Sequence, residues 1–186
     1  GLVGSEMCIR DRDKVTYYKE AVKLAKAHEV PIILDPVGCH SGAYRLSVVL
    51  DLIKTGAISL LRGNQSEIKA IYDALNTNHK IDSSLSGKGV DGEQVEDSAI
   101  ITYRLARQIN CPVVATGEED YVSDGTRVFA VPHGHSIMTA VTGTGCLLGA
   151  VLAAFFSSYY PFMDNLSIGE FLAYALAYYC LLYTSP

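Results

Sequence analysis

Three short, predominantly apolar runs constrain the fold more than any other feature of this chain: Ile32-Ile33-Leu34, residues 57–61 and residues 112–115. A strand with one wet face alternates apolar and polar residues. A short run without that alternation reads as a strand buried on both faces, as in a parallel sheet covered by helices. Helical patterns separate the runs. Val15, Tyr18, Val22 and Ala25 fall on one face of a predicted helix over residues 13–29, which Pro31 ends. Further helices are predicted over residues 44–54, 66–75 and 97–108, with a polar surface loop over residues 76–93. Strands alternating with helices predict an α/β fold, mainly parallel, with right-handed crossovers. Asp124-Gly125 separates two further runs, residues 120–123 and 126–131, and predicts a small antiparallel hairpin beside the parallel strands. No linker or repeat divides the chain, so one domain is expected over residues 13–181.

Composition removes several classes of function. The 186 residues are 49% hydrophobic and 19% charged, which is globular and not disordered. The net charge of −5 and the lack of any Lys/Arg run argue against nucleic acid as a partner. Cys8, Cys39, Cys111, Cys146 and Cys180 are widely spaced and include no C-x-x-C pair. They therefore indicate neither a disulfide framework nor a zinc knuckle, and a cytoplasmic setting is expected. The apolar run over residues 147–156 is too short to span a bilayer, and Gly169, Glu170 and several tyrosines interrupt residues 166–182. Both are read as buried helices, with no membrane partner.

The two ends stand apart. Met7-Cys8-Ile9-Arg10-Asp11-Arg12 resembles translated sequencing-adapter sequence, and Cys180-Leu181-Leu182-Tyr183-Thr184-Ser185-Pro186 resembles its counterpart. The expectation is that residues 1–12 and 182–186 are not native and that the chain is truncated at both ends. The alternative is a genuine frayed terminus.

Polar residues cluster just after the predicted strands: Asp35, then Arg62-Gly63-Asn64, then Thr116-Gly117. In open α/β sheets ligands bind outside the carboxyl ends of the strands, so these distant residues are expected to meet at one edge. A carboxylate at Asp35 suits Mg²⁺, which takes hard oxygen ligands and keeps much of its water, or it makes a turn before Pro36. Glu67 follows Asn64 by three residues and fits either a metal-directed carboxylate or a capping box. Arg62 suits a phosphate as a planar fork, or caps the sheet edge. Turn chemistry accounts for Asp124. His133 and His135 flank Gly134 and read more simply as loop residues than as ligands.

Thr142-Gly143-Thr144-Gly145-Cys146 opens the longest apolar run in the sequence. A glycine-rich turn feeding a helix presents backbone N–H groups without intrahelical partners, at the positive end of the helix dipole. Such a turn makes an anion site, suited to phosphate. Cys146 falls in the first helical turn, where a thiolate is stabilised. The plainer reading is a tight turn with an inert cysteine.

Several stretches taken together resemble one family. They are Ile33-Leu34-Asp35-Pro36-Val37-Gly38, Leu61-Arg62-Gly63-Asn64-Gln65-Ser66-Glu67, Gly87-Lys88-Gly89-Val90-Asp91, the segment from Thr116 to Gly125, and Met138 to Leu148. In this order they resemble the hydroxyethylthiazole kinases of the ribokinase-like superfamily. The glycine motif alone would suggest only the superfamily. Cys146, where that superfamily usually carries aspartate, points to this branch. The resemblance implies transfer of the γ-phosphoryl group of ATP to the alcohol of 4-methyl-5-(2-hydroxyethyl)thiazole, in thiamine salvage. It implies that Arg62 and Thr116 contact ATP, that Asp35 and Glu67 hold Mg²⁺ or its waters, and that Gly143 contacts the thiazole. The N–H groups of Gly143, Thr144, Gly145 and Cys146 would form the anion hole, and Cys146 would stand at the position of the superfamily's catalytic base. A homotrimer is implied for the full-length protein. The family's opening strands and helix, and its final helix and strand, have no counterpart here, so the alcohol-binding half is only partly represented.

Two other readings stay open. Another ribokinase-like enzyme, such as a hydroxymethylpyrimidine phosphate kinase or a nucleotide hydrate dehydratase, would be expected to carry aspartate at position 146. A nucleotide-binding module without catalysis would bind ATP and phosphorylate no alcohol.

Overall fold

Leu61 lies beside Val113, and Asn64 beside Thr116, where β2 (Leu60–Asn64) pairs in parallel with β3 (Val113–Thr116). The other side of β2 takes β1 (Ile33–Leu34), also parallel. Beyond β3 come β4 (Asp120–Ser123) and β5 (Val128–Val131), each antiparallel to its neighbour. The five strands thus stand in chain order. This computed structural model describes residues 12–76, 92–132, 143–159 and 166–184. The helices are α1 (Arg12–Ala27), α2 (Ala43–Lys54), α3 (Gln65–Leu75), α4 (Gly92–Ile109), α5 (Thr144–Tyr159) and α6 (Ile168–Thr184).

Side chains alternate faces along a strand, and the two cores follow that alternation. Leu61, Val113, Ala115 and Tyr121 pack with α1 to α4 on one face. Leu60, Val114 and Val122 pack with α5 and α6 on the other. Both faces are covered, as the unalternating strand runs require. Each buried leucine in this arrangement contributes roughly 1.5–3 kcal/mol. Counting by two from Ile33, Leu60, Val114 and Val122 places Asp35, Arg62, Thr116 and Asp120 on the α5/α6 face. All four belong to the same end of the sheet, where the parallel strands finish.

Two helices stop in the same way. After α1, Glu29 takes a left-handed conformation (φ 55°) and the Val30 N–H donates to the Ala25 carbonyl at 2.9 Å. After α4, Asn110 does so (φ 50°) and the Cys111 N–H donates to Ala106 at 3.1 Å. Pro31 and Pro112 follow and bar continuation.

Some expectations need correction. The second strand runs from Leu60 to Asn64 and not over residues 57–61, because pairing with β3 continues through Thr116. Arg62, Gly63, Asn64 and Thr116 are therefore strand residues and not residues that follow strands. The fourth helix begins at Gly92, five residues before the predicted start at 97. The expected deep burial of α5 holds for one side only. Leu148, Leu152 and Tyr159 are buried, while Leu147 is 48% exposed, because α6 and the sheet meet a single stripe of α5. In α6, Tyr179 is core, whereas Tyr174 and Tyr178 are exposed. Residues 77–91 of the predicted loop, and residues 1–11 and 185–186 at the ends, lie outside the described residues. None of the helices among the described residues is long and apolar enough to cross a membrane.

Candidate active site

Arg62 stands at the middle of the row that the strand periodicity creates. Its guanidinium is almost wholly buried. Nη1 donates to Asp35 Oδ2 at 2.8 Å, and Nη2 donates to Thr116 Oγ1 at 3.3 Å. The Thr116 hydroxyl donates to the Gly63 carbonyl at 3.3 Å. One arginine therefore joins the ends of β1 and β3 across β2. Its Nε has no hydrogen-bond partner among the described residues.

The head of α5 closes over this row. A Cβ built at Gly145 would lie 3.0 Å from Arg62 Nη2, so glycine is what lets the helix backbone approach the guanidinium. Gly143 has φ 95°, a conformation that favours glycine, and open space lies where its side chain would be. The Tyr179 hydroxyl donates to the Thr144 carbonyl at 2.6 Å and ties the first turn of α5 to α6. No acidic residue occupies that turn. Arg62, its charge partly offset by Asp35, thus lies beneath a helix N-terminus, and the two act together toward an anion. The Cys146 side chain is exposed in the same turn.

Glu67 joins the site from the other side of β2. Its N–H donates to Asn64 Oδ1 at 2.8 Å and its Oε2 accepts the Asn64 N–H at 2.8 Å, which completes a capping box. Its Oε1 accepts the Gly38 N–H at 2.7 Å and so holds the turn after β1. The capping reading of Glu67 is therefore realised. Beneath it, burial, then the charges of Glu67 and Asp35, push the Cys39 thiol up to about 12, so Cys39 stays protonated at neutral pH.

The donor set bears on the Mg²⁺ expectation. Among the described residues no group of three or more His, Cys, Asp or Glu is arranged to hold a metal ion. Asp35 already accepts from a guanidinium, and both Glu67 oxygens accept backbone N–H groups. A carboxylate oxygen retains a second lone pair, so these residues fit a hydrated cation held through its waters and not a bare ion in a compact cage.

Thr142, His133 and His135 lie outside the described residues. Of the remaining sequence-derived candidates, Asp35, Arg62 and Thr116 meet by direct hydrogen bonds, Gly145 by close approach and Glu67 through the turn at Gly38, while Gly143, Thr144 and Cys146 stand at the head of the same helix. Asp120 is the member that sequence reasoning missed. It is 6% exposed, its Oδ1 accepts the Gly117 N–H at 2.8 Å, and the Cys180 thiol faces Oδ2 at 3.9 Å. Burial pushes its pKa up, against the Gly117 N–H, the Arg62 charge and the Cys180 thiol. Its signal was its register, two residues before the buried Val122. Gln65 was also missed, and its Nε2 donates to the Glu119 carbonyl at 2.9 Å.

Comparison with known proteins bears on the family and the fold. The sequence model of the hydroxyethylthiazole kinase family matches residues 8–181. A hydroxyethylthiazole kinase of Streptococcus agalactiae is 45% identical over 141 residues, covering 76% of this chain and 52% of the relative. The structure of the hydroxyethylthiazole kinase protein from Pyrococcus horikoshii superposes with a TM-score of 0.71 at 30% identity, over 90% of this chain and 56% of that one. An Anopheles gambiae adenosine kinase, at 14% identity, shares the fold with a TM-score of 0.59, over 92% of this chain and 46% of that one. The chain spans about half the length of the curated relatives it matches. With most of its length matched by the family model and its strand-end residues gathered under the glycine-rich helix start, the chain belongs to the hydroxyethylthiazole kinase family.

Proposed function

We propose that this chain supplies the nucleotide half of an enzyme that moves the γ-phosphoryl group of ATP to the hydroxyl of 4-methyl-5-(2-hydroxyethyl)thiazole, in thiamine salvage. The observation that carries the reading is buried Arg62, held between half-buried Asp35 and Thr116 and lying against Gly145 at the head of α5. Phosphoryl transfer asks a protein mainly for positioning and charge stabilisation, and this row offers both. Arg62 and the N–H groups at residues 143–146 take the phosphate oxygens. The Thr116 hydroxyl orients the nucleotide beside Arg62. Asp35 and Glu67 would hold a hydrated Mg²⁺, which when bound would neutralise phosphate charge that these carboxylates otherwise repel. Gly143 leaves space for the thiazole, and the exposed Cys146, as its thiolate, takes the proton of the reacting hydroxyl while that oxygen takes the γ-phosphoryl group and ADP leaves. A cytoplasmic setting suits widely spaced cysteines with no C-x-x-C pair. Trimeric assembly follows from the family resemblance.

The test is ADP formation from ATP on addition of the thiazole alcohol, run on this chain and on the full reading frame of its gene. Alcohol-dependent ADP supports the reading. ATP binding with no alcohol-dependent ADP from either protein would make the chain a nucleotide-binding module. Cys146→Ala should lower kcat by about 10²–10⁴-fold, the usual worth of general-base help, with ATP affinity kept. Full activity in that variant would take Cys146 out of the chemistry.

A further inference from the structure

The geometry points to Asp120 as a positioning residue for the nucleotide site: its buried carboxylate fixes the turn that follows Thr116. This inference rests on the proposed use of Thr116 and Arg62 toward ATP. The turn, residues 117–119, leads from β3 into β4 and is pinned at both ends. At its start the Gly117 N–H donates to Asp120 Oδ1 at 2.8 Å. At its end Gln65 Nε2 donates to the Glu119 carbonyl at 2.9 Å, and Gln65 Oε1 in turn accepts from Ser98 Oγ at 3.1 Å. The turn lies tight on that clamp, since a Cβ at Gly117 would sit 2.3 Å from Gln65 Nε2.

Stability alone does not account for a carboxylate at this position. Asp120 is 6% exposed, and its donors in contact among the described residues are one backbone N–H and one thiol. Burying a charge with so few donors is costly, and asparagine would accept the same N–H without it. The placement supplies the reason. Asp120 is the fourth residue of the row on the α5/α6 face, beyond Asp35, Arg62 and Thr116, and it feels the Arg62 charge. Thr116 bonds Arg62 at 3.3 Å, a long contact that tolerates little movement of the backbone behind it. Release of Gly117 loosens Thr116, and loosening Thr116 removes one of the two groups that orient the guanidinium.

Asp120→Ala and Asp120→Asn separate this role from a merely structural one. Amide exchange at Gly117, followed by NMR without nucleotide, reads the turn directly. Titration with ATP, on protein verified as folded, reads its consequence. Asp120→Ala should speed exchange at Gly117 at least tenfold relative to core amides and weaken ATP binding roughly tenfold, the equivalent of about 1.4 kcal/mol. Asp120→Asn keeps the acceptor and should leave Gly117 exchange within about threefold of the parent, while the loss of the charge felt by Arg62 weakens ATP binding, by less than Asp120→Ala does. Should Asp120→Ala fail to fold, Asp120→Ser takes its place with the same expectations. Parental Gly117 exchange and parental ATP affinity in the folded Ala or Ser variant would overturn the inference, even if its melting temperature fell. A parent chain that binds no ATP overturns the functional reading instead, and the exchange data then still decide whether Asp120 sets the turn.

Discussion

Replacing Gly145 with alanine sets helix propensity against a close approach. A Cβ at residue 145 would lie 3.0 Å from Arg62 Nη2 and 3.1 Å from Nη1. The guanidinium cannot swing clear, because it is buried and its Nη1 lies 2.8 Å from Asp35. A shift of a few tenths of an ångström takes the Nη2 contact to Thr116, already 3.3 Å, beyond ordinary hydrogen-bond range. Losing a hydrogen bond to a charged group costs about 1.5–3 kcal/mol. Alanine returns about 0.5–1 kcal/mol over glycine inside a helix, and less in the first turn. The close approach wins. Gly145→Ala should destabilise by about 1 kcal/mol, a fall of roughly 2–4 °C in Tm for a chain this long. With Arg62→Ala already in place the clash is gone, and the same substitution should stabilise by about 0.5 kcal/mol. Urea or thermal unfolding of the parent, both single variants and the double variant gives the coupling, expected near 1.5 kcal/mol. An equal effect of Gly145→Ala in both backgrounds would refute the contact argument.

Other outcomes follow from the same geometry. Asn64→Ala removes half of the capping box on α3 and should cost about 1 kcal/mol in chemical denaturation. Asp124 in the β4–β5 turn is raised by burial but lowered further by the Thr126 hydroxyl, the Arg127 and Thr126 N–H groups and the Ser167 hydroxyl, to about 2. A depressed folded pKa gives stability that is complete above the unfolded value and lost as pH falls toward 2, so Asp124→Asn should flatten the stability profile between about pH 4 and 2. Burial pushes the Cys39 and Cys111 thiols up to about 12, and burial with Asp120 pushes Cys180 up to about 11. Of Cys39, Cys111, Cys146 and Cys180, only Cys146 is exposed. Iodoacetamide at pH 8, read by mass spectrometry, should therefore modify Cys146 well before the other three.

The architecture was legible because it rests on local patterns. Unalternating strand runs announced a sheet covered on both faces, and Asp124-Gly125 announced the hairpin. The meeting of Asp35, Arg62 and Thr116 followed from the rule that strand carboxyl ends gather ligand groups. The end of β2 was not legible, because Gly63 and Asn64 are poor strand residues, kept in the sheet by pairing with Ala115 and Thr116. Asp120 was missed because its meaning lies in which face it takes, and a four-residue strand shows that face only once Val122 is known to be buried. The two roles of Glu67 could not be separated in sequence, since a capping box and a metal-directed carboxylate use the same residue. The exposed side of α5 had no signal, because its outer residues Leu147, Ala150 and Ala154 are as apolar as the buried ones.

The central claim is that Arg62, held by Asp35 and Thr116 under the head of α5, is an anion site for Mg²⁺-bound ATP. Isothermal titration of ATP with Mg²⁺ into the parent chain and into Arg62→Ala tests it most directly. The account predicts binding by the parent, weakened at least tenfold by the substitution and also by removal of Mg²⁺ with EDTA. Equal affinity in the parent and in Arg62→Ala, with or without Mg²⁺, would contradict it.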